Sequence, residues 1–301
     1  MEENMHFEVI IIGGSYAGLS AAMALGRSLR NTLVIDGGNP CNRQTPHSHN
    51  FITQDGQVPA EISRIARDQV SKYETVKVFE GLVTHAAKTR DGFEVHTSPG
   101  TTFTAKKLIL ATGLRDIMPD IKGFAECWGI SAIHCPYCHG YEVWGEKTGI
   151  LANGDAAMHY ANLVSRLTPD LTLFTNGPST LSPEQMEKLK SHNIRIIEKE
   201  LIEIKHHNGQ LTDIILVDQS KIPLKALYHS PAFEQHSGIA VELGCEVTEQ
   251  GLIKVDDFHK TNVPGVLACG DNSGMRSVSI AVASGTKAGA MVNLELAEEE
   301  F

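Results

Sequence analysis

The chain has 301 residues, 42% of them hydrophobic, which is enough for two domains with a core in each and excludes a disordered chain. Its 26 Lys and Arg stand against 36 Asp and Glu, a net charge of -10 with no basic tail or stripe, which excludes a nucleic acid partner held through its phosphates. The start, Met1-Glu2-Glu3-Asn4, is acidic, and the first apolar run, Val9 to Ile12, is too short for a signal core or a membrane span; a cytoplasmic protein without membrane association is expected.

Along the chain, Glu8 to Ile12 reads as a strand, Gly13-Gly14-Ser15-Tyr16-Ala17-Gly18 as a glycine turn, and the Ala/Leu-rich segment ending near Arg30 as a helix. Thr32 to Ile35 forms a second strand that ends at Asp36. Residues 59 to 71 predict a helix and 76 to 111 several strands, with Asp91-Gly92 turning between two of them. After Pro119 the pattern restarts, with strands at Thr148 to Ala152 and Leu171 to Thr175 around a helix from Ala156 to Leu167. Ser182-Pro183-Glu184 opens another helix, serine at the N-cap and proline at the first helical position. His207-Asn208-Gly209-Gln210 predicts a hairpin between 200-206 and 211-218. The apolar runs Leu252 to Val255 and Val266 to Cys269, then Gly270-Asp271 and a small-residue helix from about Ser279 to Leu296, return the chain to its first domain. The fold class is α/β, two Rossmann-like (three-layer ββα) domains, with the second inserted into the first.

Strand, glycine turn, helix, second strand and terminal acid occur in the order that holds a dinucleotide. The pyrophosphate sits on the helix N-terminus and the ribose hydroxyls on Asp36. Ser15 replaces the second glycine of the fingerprint; its Cβ narrows the approach to pyrophosphate, while its hydroxyl can donate a hydrogen bond.

Six cysteines in a chain of this length, two of them at CxxC spacing, do not form a disulfide framework, so Cys41, Cys127, Cys245 and Cys269 read as reduced thiols. Cys135-Pro136-Tyr137-Cys138-His139 has the spacing of a reversible dithiol, and a helix starting after it would lower one thiol pKa. Taken alone the motif is ambiguous. It matches the CxxCH pattern of c-type haem attachment, which normally requires export. A zinc site would need a second pair, for which Cys127 and His134 are nearby at irregular spacing, so no metal is expected. Cys-Pro-Tyr-Cys also occurs in glutaredoxin-like domains, near the start of a small fold.

Gly13 to Gly18, Asp36, Ala111-Thr112-Gly113, the central CxxC and Val263-Pro264-Gly265-Val266-Leu267-Ala268-Cys269-Gly270-Asp271 resemble the low-molecular-weight thioredoxin reductases in order and spacing over nearly the whole chain. The resemblance implies a discontinuous FAD domain, 1-118 and 242-301, with an NAD(P)-binding-like domain, 119-241, that carries the CxxC. It places FAD on Gly13, Gly14, Ser15, Ala17, Gly18, Asp36, Ala111, Thr112, Gly113, Gly270 and Asp271, and on the start of the last helix. Arg43 and Asn50 fall where the family contacts FAD, and Val83 where its backbone meets adenine. Ser279 and Ile280 stand in place of the usual Arg-Gln-Ala, leaving backbone contacts without side-chain ones. A homodimer is implied by the resemblance alone.

The same resemblance makes Cys138 the thiol facing flavin C4a and Cys135 the thiol that exchanges with the substrate. His139 occupies the position of an acid, and its unperturbed pKa of about 6.5 suits proton transfer in either direction near neutrality. A helix-start histidine that merely packs is the alternative. At the second nucleotide site the pattern fails: Ala152-Asn153-Gly154-Asp155-Ala156-Ala157 lacks the first glycine, and Leu173-Phe174-Thr175-Asn176-Gly177 has none of the arginines that hold the NADPH 2'-phosphate. Two missing arginines remove charge-assisted hydrogen bonds of about 1.5 to 3 kcal/mol each. NADPH binding is therefore expected to be weak or absent.

The expected protein is an FAD-dependent dithiol/disulfide oxidoreductase. Its electrons run from a small-molecule dithiol to O2, as in dithiol oxidases similar to this family, or from another reductant such as ferredoxin to a thioredoxin-like protein. The alternatives are an NADPH-dependent thioredoxin reductase and a non-catalytic flavin-binding redox sensor.

Overall fold

The computed structural model describes residues 5-98 and 100-301; the acidic start, Met1 to Asn4, lies outside the described residues. The chain divides into two compact units, one comprising the stretch ending at Arg43 with Ala60–Arg115 and Phe233–Phe301, the other Gln44–Pro59 with Asp116–Ala232.

In the first unit β1 (His6–Ile12), α1 (Tyr16–Arg27), β2 (Thr32–Asp36), α2 (Pro59–Val70), β3 (Val76–Glu80), β4 (Leu82–Lys88), β5 (Phe93–Ser98) and β6 (Thr102–Leu110) follow in order. Strands β3, β2, β1 and β6 are adjacent and parallel, while β5 and β4 extend the sheet as an antiparallel meander. The parallel strands are covered on both faces, which is why they read as unbroken β-branched runs rather than alternating ones. Ile10, Ile12, Leu33, Ile35, Leu108 and Leu110 pack with Phe93, Val95 and Phe103 in one core cluster. Ile11, on the opposite parity, points towards Gly18 of α1.

A ribbon of β7 (Leu114–Ile117) and a later strand leads out of this unit and back. The second unit holds α3 (Phe124–Cys127), β8 (Ala132–Ile133), α4 (Pro136–His139), a 3-10 turn (Tyr141–Val143), β9 (Thr148–Leu151), α5 (Gly154–Val164), β10 (Leu171–Phe174), α6 (Pro183–Ser191) and β11 (Arg195–Ile197). It continues through β12 (Leu201–His207), β13 (Gln210–Leu216), β14 (Lys221–Pro223) and β15 (Ala226–Tyr228). Its parallel sheet has the order β11-β10-β9-β15-β8, beside a meander β12-β13-β14. The hairpin between β12 and β13 turns through Asn208 and Gly209 at φ 50° and 78°, the left-handed pair of a type I′ turn. Ser182 caps α6 in a full capping box with Gln185.

The return passes through β16 (Ala232–Gln235), which pairs with β7, then α7 (Ile239–Glu242), β17 (Val266–Ala268), which pairs with the Leu108–Leu110 end of β6 beyond β5, and α8 (Val278–Glu300). The run Leu252 to Val255 forms no strand; an isolated bridge joins Ile253 to Val247. Helix α8 lies against α1 through Gly285 and Gly289, where a Cβ would fall inside van der Waals distance of the Ala17 carbonyl and 2.6 Å from the Ala21 carbonyl. At its far end Lys107, itself buried, pairs with Glu295 and Glu299. Among the described residues no helix is long and apolar enough to cross a membrane.

Candidate active site

Parallel pairing of β1, β2, β6 and β17 puts their C-terminal ends at one sheet edge, the position where open α/β sheets take ligands. Gly13, Gly14 and Ser15 turn from β1 into α1 there. Ala111, Thr112 and Gly113 leave β6 beside them, and Gly270 and Asp271 leave β17. Gly13, at φ 110°, has the Ala111 carbonyl where a Cβ would be, so a side chain at Gly13 would push the two strand ends apart. Ala17 and Gly18 form the first turn of α1, and Ala17 approaches Gly270 closely. Ser279 and Ile280 lie in the first turn of α8. Val83, in β4 two residues after Gly81, is near the end of β2 through the Gly81 N–H donated to the Asp36 carbonyl, 3.0 Å.

The cradle fits a dinucleotide in two respects. Neither α1 nor α8 has a side-chain cap or an acid in its first turn, so both N-termini keep free donors and positive dipole ends. The Asp36 carboxylate accepts from Gly14 N and Gly38 N at 3.2 Å each and from Arg67 at 2.6 Å, which leaves one of its four acceptor sites open for a ribose hydroxyl. Asn272, fully buried, donates to the Leu110 carbonyl and the Thr112 hydroxyl at 2.9 and 3.2 Å while its Oδ1 has no donor. Closed off from the surface, this side chain ties the end of β6 to the segment after β17 rather than lining the cradle.

In the second unit β8 delivers the chain to Cys135, which is the N-cap of α4, and Pro136 follows at the first helical position. Cys135 and Cys138 are joined as a disulfide, their Cα atoms 5.2 Å apart. The Cys138 N–H donates to Cys135 Sγ at 3.2 Å, a bond that favours a thiolate on Cys135 when the pair is reduced. His139 closes α4. Burial holds its pKa below the ordinary value of 6.5, the Glu142 carboxylate opposes this, and the His49 ring adds to it. Among the described residues no group of His, Cys, Asp and Glu is placed to hold a metal ion. Cys127 is buried, its thiol pushed up to about 11 by desolvation.

The turn from β9 into α5 is closed by the chain itself. Asn153 caps the helix, its Oδ1 accepting from Gly154 N at 2.9 Å, Thr180 N at 2.8 Å and Thr180 Oγ1 at 3.0 Å. Its Nδ2 donates to the Pro178 carbonyl at 3.0 Å, and Asp155 puts a negative charge in the first turn. After β10, Thr175 donates to the Gly177 carbonyl, and the Asn176 side chain accepts from Leu201 N. No cation stands in this loop; the following Lys199 is paired with Asp218.

Arg43 is exposed and donates to the Pro40 carbonyl, and Asn50 belongs to the second unit, its N–H donating to Asp55. Arg67, Asn272, His49 and Glu142 escaped the sequence reading, because each acts through a partner distant in sequence or through burial. The doublet of histidines at 47 and 49 was the one visible signal.

A family model described as pyridine nucleotide-disulphide oxidoreductase matches residues 7–285. The thioredoxin reductase tcpT of Claviceps purpurea is 36% identical over 301 residues, 96% of this chain and 94% of that protein. The thioredoxin reductase sirT of Leptosphaeria maculans is 31% identical over 312 residues, with the same shares covered. Among solved structures, the oxidoreductase from Agrobacterium tumefaciens superposes with a TM-score of 0.92 at 39% identity, covering 98% of this chain and 99% of that one.

Proposed function

Because the chain belongs to the pyridine nucleotide-disulphide oxidoreductase family, a group of flavin enzymes acting on sulfur, we propose that it oxidises a dithiol through Cys135–Cys138 and FAD with little recourse to NADPH. The single observation that carries this reading is the closed turn at α5. There the Asn153 side chain takes the Gly154 N–H, one of the donors a pyrophosphate would need, and is held by Thr180 N and Oγ1, while Asp155 sets a negative charge in the first turn. Binding NADPH would require breaking those bonds without a cation to repay them. The first unit is read as the FAD-binding domain and the second as the NAD(P)-binding-like domain.

In this reading Cys135, Cys138 and His139 are the catalytic residues. A substrate thiolate attacks Cys135 Sγ and Cys138 leaves as a thiolate; the second substrate thiolate then attacks the substrate sulfur of the mixed disulfide and releases Cys135. The substrate leaves as a disulfide, its two electrons now on the cysteine pair. His139, neutral near pH 7 because burial lowers its pKa, takes a thiol proton, which favours the oxidising direction. Gly13–Gly18, Asp36, Ala111–Gly113 and Gly270–Asp271 would hold FAD, which would supply a two-electron acceptor open to reoxidation by O2. Cys138 is the thiol that hands the electrons on. The substrate is a small-molecule dithiol, with a thioredoxin-like protein as the other candidate, and the enzyme works as a cytoplasmic homodimer.

The cysteine variants test the assignment. Partial reduction of Cys135→Ser by dithiothreitol is expected to retain or enhance a long-wavelength thiolate–flavin absorption band, and Cys138→Ser to abolish it. The reverse pattern would overturn the roles of the two thiols.

A further inference from the structure

We propose that Arg67, in the last turn of α2, is a positioning residue of the ribose site: it fixes the Asp36 carboxylate so that its one open acceptor position meets a hydroxyl of the FAD adenosine ribose. The proposal rests on the reading of the edge around Gly13–Gly18 and Asp36 as the FAD site. Asp36 Oδ1 accepts from Gly14 N and Gly38 N, 3.2 Å each, which fills both of its positions. Oδ2 accepts from Arg67 Nη2 at 2.6 Å and has one position left, so the open acceptor is on the oxygen that Arg67 holds. That oxygen lies against the glycine turn: a Cβ on Gly14 would stand 2.9 Å from Oδ2 and 2.7 Å from the Asp36 Cβ. A hydroxyl arriving along the turn can therefore bond Oδ2, while Oδ1 has nothing left to offer it.

Asp36 stands opposite Glu80 in the register of β2 and β3, so two carboxylates end adjacent strands beside the turn that would take an anionic pyrophosphate. Arg67 reaches both. Its Nη1 is 3.8 Å from Glu80 Oε1, beyond hydrogen-bond distance, and the Glu80 side chain is 89% exposed, so the short bond belongs to Asp36 alone. Both glycine N–H groups bind Oδ1 and leave the carboxylate free to swing about that oxygen; the charge-assisted bond to Oδ2 stops the swing. The Arg67 side chain is 37% exposed, and an ion pair of that kind adds little to folding stability. Its effect falls on the ligand: without the guanidinium, Oδ2 turns away from the ribose and the acid's charge stands unbalanced beside the pyrophosphate.

The experiment equilibrates the holoenzyme with an excess of FAD and of an FAD whose adenosine ribose lacks both hydroxyls, in equal amounts, removes free flavin, and measures the ratio of the two bound forms by mass. A general loss of structure weakens both and cancels in this ratio; a change in the ribose contact does not. The wild type is expected to prefer FAD, Asp36→Asn to lose most of that preference, and Arg67→Gln to lower it about tenfold, as for the loss of one hydrogen bond to a charged group. Adding Arg67→Gln to Asp36→Asn is expected to change the ratio no further, because Arg67 acts through Asp36. A wild type without preference, or Asp36→Asn retaining it, would sink the ribose reading itself. A preference lost in Asp36→Asn but kept in Arg67→Gln, or an equal loss from Arg67→Gln in both backgrounds, would overturn the role of Arg67 and leave the ribose reading standing.

Discussion

Asn272 shows how much of the cradle rests on a single side chain. It ties the end of β6 to the segment after β17, and its Oδ1 is closed off from the surface. Asn272→Ala removes two donated bonds, each worth about 0.5–1.5 kcal/mol. The expected result is a protein that loses FAD on gel filtration under conditions where the wild type retains it; unchanged FAD content would show that this tie does not shape the cradle. Gly13, Asp36 and Gly270 were legible because fingerprint spacing reports backbone geometry. Asn272 follows Gly270-Asp271 directly yet carried no signal, since its importance comes from burial. Asp36 was read as a ribose acceptor, but Arg67, which fills one of its positions, lies 31 residues further on and outside any motif.

At the scale of elements, the long periodic segments were legible and the short ones were not. α1, α2, α5 and α8 fell within a few residues of their expected spans and α6 begins where expected, because caps, prolines and apolar periodicity act locally. Strand β8 has 2 residues and α3, α4 and α7 have 4 each, too few for any period to register. α4 exists because Cys135 caps it and Pro136 begins it, not through propensity. Helix α8 illustrates the opposite case. Its glycines read as weak helix formers, but two of them let α1 approach. Gly285→Val should cost about 1–3 kcal/mol of stability through forced separation of the two helices. Thermal unfolding followed by circular dichroism checks it: the midpoint should fall by several degrees, and an unchanged midpoint would refute the close packing.

For the whole molecule, the two Rossmann-like sheets were legible from their repeated strand–helix–strand order. The joining of Gln44–Pro59 to the second unit was not, because only contacts distant in sequence define it. That segment carries His49 and Asp55, so the chemistry around His139 depends on tertiary structure that no motif announces. The two units also differ at the glycine-containing turns that open their first helices. In the first, the helix N-termini carry no side-chain cap. In the second, Asn153 caps the corresponding helix start and is itself held by Thr180. The central claim is therefore that electrons enter through the cysteine pair and not through NADPH. Anaerobic mixing of the yellow protein with one equivalent of NADPH, and separately with one of dithiothreitol, tests it at the flavin absorption band. The dithiol is expected to bleach the band rapidly and NADPH to leave it; rapid bleaching by stoichiometric NADPH would contradict the account.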